Sequence, residues 1–205
     1  MPNWCSNQLI IRGEVTELNE FITKVKKQNP ENGHYDILGS LLPTPQELVD
    51  TVSGFLGRNE DGTPSDAQLE LEKKQTENIA KYGYKDWYDW NCAVWGTKWG
   101  DSDTDASFTN DKEVTFTFQS AWSPPINGLS RIAKMFPNLR FFLMYEELGM
   151  GFFGTTEFMP DGDFLDDCHG SEELDIPDDN EDEDWYDKVN DQINDIQHEN
   201  FKAWV

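Results

Sequence analysis

The chain has no run of eighteen apolar residues, so the sequence offers no membrane-spanning helix. Its opening, Met1-Pro2-Asn3-Trp4-Cys5-Ser6-Asn7, has neither the basic stretch nor the apolar stretch of a secretory signal. Cysteine is scarce: Cys5, Cys92 and Cys168 are odd in number and widely spaced. That pattern argues against a disulfide framework and predicts a reducing, cytoplasmic setting. Basic residues are scarce as well, 16 Lys and Arg against 40 Asp and Glu, for a net charge of −24. A surface of that sign repels phosphate and anionic lipid and attracts basic proteins. Direct binding of nucleic acid or of a membrane is therefore not expected.

Large aromatic side chains are plentiful: 8 Trp, 13 Phe and 6 Tyr in 205 residues. A chain of this length suits one domain, or one domain with an insertion and a tail, with a core of real size. The charge is uneven. From Asp161 to Val205 there are 17 Asp and Glu against Lys188 and Lys202, which places −15 of the total in the last fifth of the chain.

Asn7 to Gly13 reads as a strand, and Val15 to Lys27 as a helix with Leu18, Phe21, Ile22 and Val25 at helical spacing. Tyr35 to Pro45 is an apolar connector. Thr44 is placed to cap a short helix opened by Pro45, and Ser65 to cap a polar helix reaching about Lys81. Asp86 to Val94 suggests a further short helix. The period then changes to two. Ala106 to Phe108 and Val114 to Phe118 alternate around the turn Asn110-Asp111-Lys112. Ile126 to Phe136 returns to helical spacing, Leu139 to Tyr145 is an apolar strand, and Gly151 to Phe158 comes back beside it. This is the split βαβ order of a ferredoxin-like α+β fold with an antiparallel sheet. The expected organisation is a domain over 1–160, a helical Trp-rich insertion at about 34–101, and an acidic extension over 161–205 ending in an amphipathic helix.

Gly149-Met150-Gly151-Phe152-Phe153-Gly154 spells G-x-G-x-x-G. A dinucleotide site needs a helix N-terminus next, and Thr155-Thr156-Glu157-Phe158 is strand-like, so a glycine-bulged hairpin is the better reading. Cys168-His169 with Asp166 and Asp167 has no second Cys/His pair at ligand spacing. It reads as a solvated loop, and no metal or other cofactor is expected. No nucleophile has a positioned base in the sequence, so a non-enzymatic protein is expected.

Two clusters remain. Trp87, Trp90, Trp95 and Trp99 fall within thirteen residues, with Lys98 between the last two. They are either core or the wall of a site for a planar ligand, in which Lys98 meets an anionic group. Trp4 and Trp122 are expected to join them in one aromatic core against the sheet. In the last segment, Trp185, Val189, Ile193, Ile196 and Trp204 recur near helical spacing, while Glu183, Asp187, Asp191, Asp195 and Glu199 recur every four residues on the other side. Like charges at that spacing cost a few tenths of a kcal/mol per pair, roughly 1–2 kcal/mol for the row. Solubility alone does not ask for a row of one sign. The alternative is an ordinary solvated face beside a flexible acidic stretch over 170–184.

The opening heptapeptide, Trp87-Tyr88-Asp89-Trp90, Trp95-Gly96-Thr97-Lys98-Trp99, Ala121-Trp122-Ser123-Pro124-Pro125 and Gly149-Met150-Gly151-Phe152 occur in that order. Together they resemble the YubB-like (Api-like) family of phage and plasmid proteins, described as carrying a ferredoxin-like domain. The resemblance covers about residues 1–158. It implies a mobile-element origin, the cytoplasm of a bacterial host and the same fold; it brings no activity and no catalytic residues, and it does not reach the acidic segment. The expected function is then an accessory protein whose acidic surface, imitating a phosphate backbone, occupies a basic host DNA-handling or defence protein. The alternative is a small-ligand binder for a nucleotide or metabolite, using Trp87, Trp90, Trp95, Lys98, Trp99 and Trp122. The sequence leaves the oligomeric state open.

Overall fold

Strand β1, Trp4–Arg12, lies inside the sheet, and its run Leu9-Ile10-Ile11 is buried on both faces. Cys5, Leu9 and Ile11 face one layer and are fully buried, while Ile10 faces the other. The computed structural model describes residues 3–27, 34–174 and 185–205, apart from the side chains of residues 185 and 186. β1 pairs antiparallel with β3 (Glu113–Ala121) and with β4 (Arg140–Glu147), so that Leu9 sits between Phe116 and Leu143. β2 (Ser102–Asn110) flanks β3, and β5 (Phe152–Phe158) and β6 (Phe164–Gly170) extend the other side. The sheet order is β2-β3-β1-β4-β5-β6, antiparallel throughout. This is the ferredoxin-like α+β fold expected from the element order, with two strands added at one edge.

Helices α1 (Val15–Val25) and α6 (Ile126–Met135) cover one face of the sheet with the stripes read from the sequence. Leu18, Phe21 and Val25 from α1 and Leu129, Ile132 and Ala133 from α6 are buried there. The Phe21 ring meets Phe116, Phe136 and Phe141 edge-on at 5.9, 5.1 and 5.8 Å between centroids. That geometry adds to the area burial of each ring.

Between α1 and β2 lie α2 (Leu38–Leu41), α3 (Gln46–Val49), α4 (Asp66–Tyr82) and α5 (Trp87–Val94). Ser65 caps α4 by accepting from the Gln68 amide, and Asp86 caps α5 by accepting from the Tyr88 and Asp89 amides. Thr44 does not cap α3. Pro45 holds that position, and the Thr44 hydroxyl donates to Asn91 Oδ1 at 2.7 Å, tying α3 to α5 instead. The insertion is locked to α6 at Gly128: its amide donates to the Trp95 carbonyl at 3.0 Å, and a Cβ there would come within 2.7 Å of Leu38.

The second face is covered by α7, Trp185–Trp204, which lies over β4 and β5. Val189 and Ile193 bury against Phe153, and Trp204 against Ile10, Phe142 and Met144. Part of this face, on β1 and β3, stays open, with Gln8 and its register partner Thr117 exposed. The strand β6 departs from the expected loop and tail beyond 160. It pairs along its length with β5 although most of its residues are exposed, with Leu165 at 65 %. The G-x-G-x-x-G letters form the β4–β5 turn, where Gly151 has φ +77° and the Glu147 carboxylate accepts from the Gly149 and Met150 amides. The expected flexible stretch falls largely on 175–184, outside the described residues.

Candidate functional site: an acidic helix face and an aromatic surface around Lys98

The tryptophans divide between core and surface, which corrects the expectation of one buried aromatic cluster. Trp95 is buried, its indole N–H donates to the Leu42 carbonyl at 2.9 Å, and Trp90 meets it edge-on at 5.5 Å. Trp87 is half-buried against Tyr88. Gly96, at φ +86°, then reverses the chain; Thr97 stays buried, and Lys98 and Trp99 come to the surface. Trp4, Trp99 and Trp122 do meet the insertion, but at the surface, 43, 38 and 38 % exposed. Trp4 and Trp99 lie 6.0 Å apart. The Lys98 ammonium sits 4.5 Å from the Trp99 ring, 5.3 Å from Trp122 and 5.8 Å from Tyr88. Among the described residues no carboxylate forms an ion pair with it. In a chain with 40 acids this isolation is notable.

Trp122 has φ +68°, a left-handed conformation costly for a bulky side chain. Its neighbours hold it there. The Trp122 amide donates to Asn3 O at 2.9 Å, Thr97 Oγ1 to Ala121 O at 2.8 Å, and Ser123 Oγ to Gly96 O at 2.8 Å.

The second cluster lies on α7. Asp187, Asp191, Asp195 and Glu199 are all exposed, and none forms an ion pair among the described residues. Glu183, the fifth member of the expected row, lies outside the described residues. The opposite stripe is fastened by more than apolar contact. Gln197 Nε2 donates to Tyr145 O at 3.0 Å and to Gly154 O at 3.2 Å. Asn200 Nδ2 donates to Thr155 Oγ1 at 3.0 Å and to Asp167 Oδ2 at 2.7 Å. At the C-terminal end the Trp204 ring lies between two guanidinium groups, Arg12 at 4.8 Å and Arg140 at 4.5 Å, and Arg140 also donates to the Trp204 carbonyl. Two cations at a helix C-terminus also suit its dipole.

β6 carries Asp166 and Asp167 alongside, both engaged. Asp166 accepts from the Tyr145 hydroxyl at 2.9 Å and the Thr156 hydroxyl at 2.7 Å. Asn200, and then His169, hold the Asp167 carboxyl below its ordinary range. His169 stacks on Phe153 and bridges Glu173 at 2.8 Å and Asp167 at 3.1 Å, which raises its pKa, Glu173 being the larger cause. Cys168-His169 therefore lies on a strand rather than in a loop. Among the described residues no group of three or more His, Cys, Asp and Glu is placed to hold a metal ion. Burial pushes the Cys5 thiol up to about 12 and raises Cys92 as well, so neither is an activated nucleophile.

One acid escaped the reading of the sequence. Glu146 is half-buried in a groove of ≈ 250 Å³ between α7 and the open part of the sheet, beside Gln8, Gln119, Met144, Asn194 and Gln197. Burial raises its pKa, and its carboxylate has no hydrogen-bond partner among the described residues. The signal was present in the alternation of β4. Glu146 has the parity of Phe142 and Met144, the inward positions of the second face.

The stretch 94–189, from the end of α5 into the first turns of α7, matches the family model for the ferredoxin-like domain in Api92-like protein. Among solved structures, the chain is similar to the protein api92 from Yersinia pseudotuberculosis, at 11 % identity and a TM-score of 0.49, covering 83 % of this chain and 98 % of that one. No curated protein matches the chain. No helix among the described residues is long and apolar enough to cross a membrane.

Proposed function

We propose, on the premise that residues 94–189 match the family model for the ferredoxin-like domain in Api92-like protein, that the chain is a non-enzymatic phage or plasmid accessory protein that occupies a basic host DNA-handling or defence protein through the outer face of α7. One observation carries the reading: α7 is fastened along its inner stripe, so Asp187, Asp191, Asp195 and Glu199 are held outward in a line, and none of them forms an ion pair among the described residues. A rise of 1.5 Å per residue spaces them by roughly 6 Å, a rod of single-sign charge such as a DNA-binding surface accepts. The protein then works in the host cytoplasm and needs no cofactor, membrane or nucleic acid of its own. The test compares the full chain with the fourfold variant Asp187→Asn, Asp191→Asn, Asp195→Asn, Glu199→Gln in binding purified basic DNA-handling host proteins, with duplex DNA as competitor. Binding that DNA displaces, that weakens with salt and that the variant loses supports the reading. Binding unchanged in the variant overturns it.

A second reading, a small-ligand site for a nucleotide or metabolite at Trp99, Trp122 and Lys98, is favoured by the left-handed backbone of Trp122, because held strain clusters at binding sites. Tryptophan fluorescence titrated with nucleotides and host metabolites tests it. A response lost in Lys98→Ala supports it, and a flat response across the panel removes it.

A further inference from the structure

We propose that the groove between α7 and the open part of the sheet receives the arginine side chain of a basic protein. The inference rests on the acidic-face reading and gives that face a specific contact.

The groove holds a carboxylate in want of a donor, and a second unpartnered acceptor lies one helical turn away on α7. The Glu146 carboxylate has no hydrogen-bond partner among the described residues. On α7, Asn190 Oδ1 is buried and likewise unpartnered. Asn190, Asn194 and Gln197 follow one another at i, i+4 and i+7, so they share one stripe of the helix, and the last two line the groove. The amide nitrogen of Gln197 is already committed to Tyr145 O and Gly154 O, which fixes that wall. Across the groove, Gln119 is held by its bond to Ser6 Oγ at 3.3 Å. Met144 supplies an apolar wall.

A ligand for such a site must bring several N–H donors, a positive charge and a thin apolar stem. A guanidinium has five donors in a planar fork that fits a carboxylate with two parallel bonds, and its methylene stem packs on apolar surface. A lysine ammonium offers a point charge without the fork. A phosphate or carboxylate would meet the like charge of Glu146 and add acceptors to acceptors. A volume of ≈ 250 Å³ suits one side chain rather than a large cofactor. The Asp191 and Asp195 carboxylates on the outer face of the same helix would draw the rest of a basic segment along α7.

The test uses the full ¹⁵N-labelled chain with two probes, N-acetyl-arginine amide and a hexa-arginine peptide. Side-chain amide signals of Gln8, Gln119 and Asn194 report the groove. The proteins are wild type, Glu146→Gln, Asn194→Ala and the fourfold α7 variant. Glu146→Gln keeps shape while removing the charge, and Asn194→Ala alters the groove from the helix side, so loss of fold in one leaves the other to decide. We expect both probes to shift the groove signals in wild type and in the fourfold variant. Hexa-arginine affinity should fall about tenfold or more in Glu146→Gln, as for loss of a charge-assisted hydrogen bond. Hexa-arginine binding that is equal in wild type and Glu146→Gln, with silent groove signals, overturns the groove and leaves the acidic face standing. Groove shifts with hexa-arginine binding indifferent to the fourfold variant keep the groove and remove the face. No binding of either probe at physiological salt overturns the groove, and the competition with host proteins then decides the face alone.

Discussion

The two faces of the sheet are closed in different ways. The first is sealed by α1, α6 and the insertion, and its core draws on residues from Cys5 to Phe158. The second is sealed over part of its width by α7 with Leu174, through a patch at Phe153, Leu174, Val189 and Ile193 and another at Phe142, Met144 and Trp204. Contacts gathered from the whole chain make the first face part of the global fold. The second depends mainly on one helix and is expected to behave as a smaller cooperative unit. The candidate recognition surface lies on that second face, where the sheet is incompletely covered and Asp187, Asp191, Asp195 and Glu199 form no ion pair among the described residues.

The comparison breaks most sharply at Phe21. Phe21→Ala removes a fully buried ring from the first face and should cost about 4 kcal/mol in chemical denaturation, with β1, β3 and β4 lost together. Trp204→Ala should cost about 3 kcal/mol but act locally. Hydrogen exchange should show α7 amides losing protection while those of β1 and β3 keep it, and uniform loss across the molecule would show that the two faces are one unit.

A smaller effect is expected at Trp122. Trp122→Gly and Trp122→Ala delete the same ring contacts, but glycine accepts φ +68° freely. The glycine variant should be the more stable by about 1 kcal/mol in urea denaturation, and equal stability would mean the backbone relaxes once the ring is gone.

The smallest effect concerns His169, beside the α7 docking site. Its pKa is raised in the fold by Glu173 and Asp167. It therefore adds stability below the unfolded value of about 6.5, and that stability fades as pH rises through its higher folded value. The difference in Tm between wild type and His169→Gln should shrink from pH 6 to pH 8.5. A difference that grows with pH would contradict the assignment.

Elements with one wet and one dry side were plain in the sequence through their side-chain period, and β4, buried on both faces, through its unbroken apolar run. β1, β3, β4, α1 and α6 were read within a few residues, and Ser65 was recognisable as a cap. β6 was not, because Phe164-Leu165-Asp166-Asp167-Cys168 is exposed on both sides and shows no alternation. The tryptophan set was legible as a set, but its division was not. It turns on the positive φ of Gly96, which sends Trp95 inward and Trp99 out. The outward row on α7 was legible from Asp187 to Glu199. Glu146 was hidden by its setting in an apolar strand, where an acid is easily taken for the end of the element.

A six-stranded open sheet has two edges, and each invites another strand to add to it. Here they are blunted by different devices. β6 carries Asp166 and Asp167, whereas β2 breaks register between Ser102 and Asp105 and again between Phe108 and Asn110, with Asp103 at φ +52° in the first break. One border repels a neighbouring sheet by charge and the other offers it no regular ladder. Protein concentrated during expression should therefore resist the edge-to-edge growth that leads to fibres, a protection independent of whatever partner covers α7.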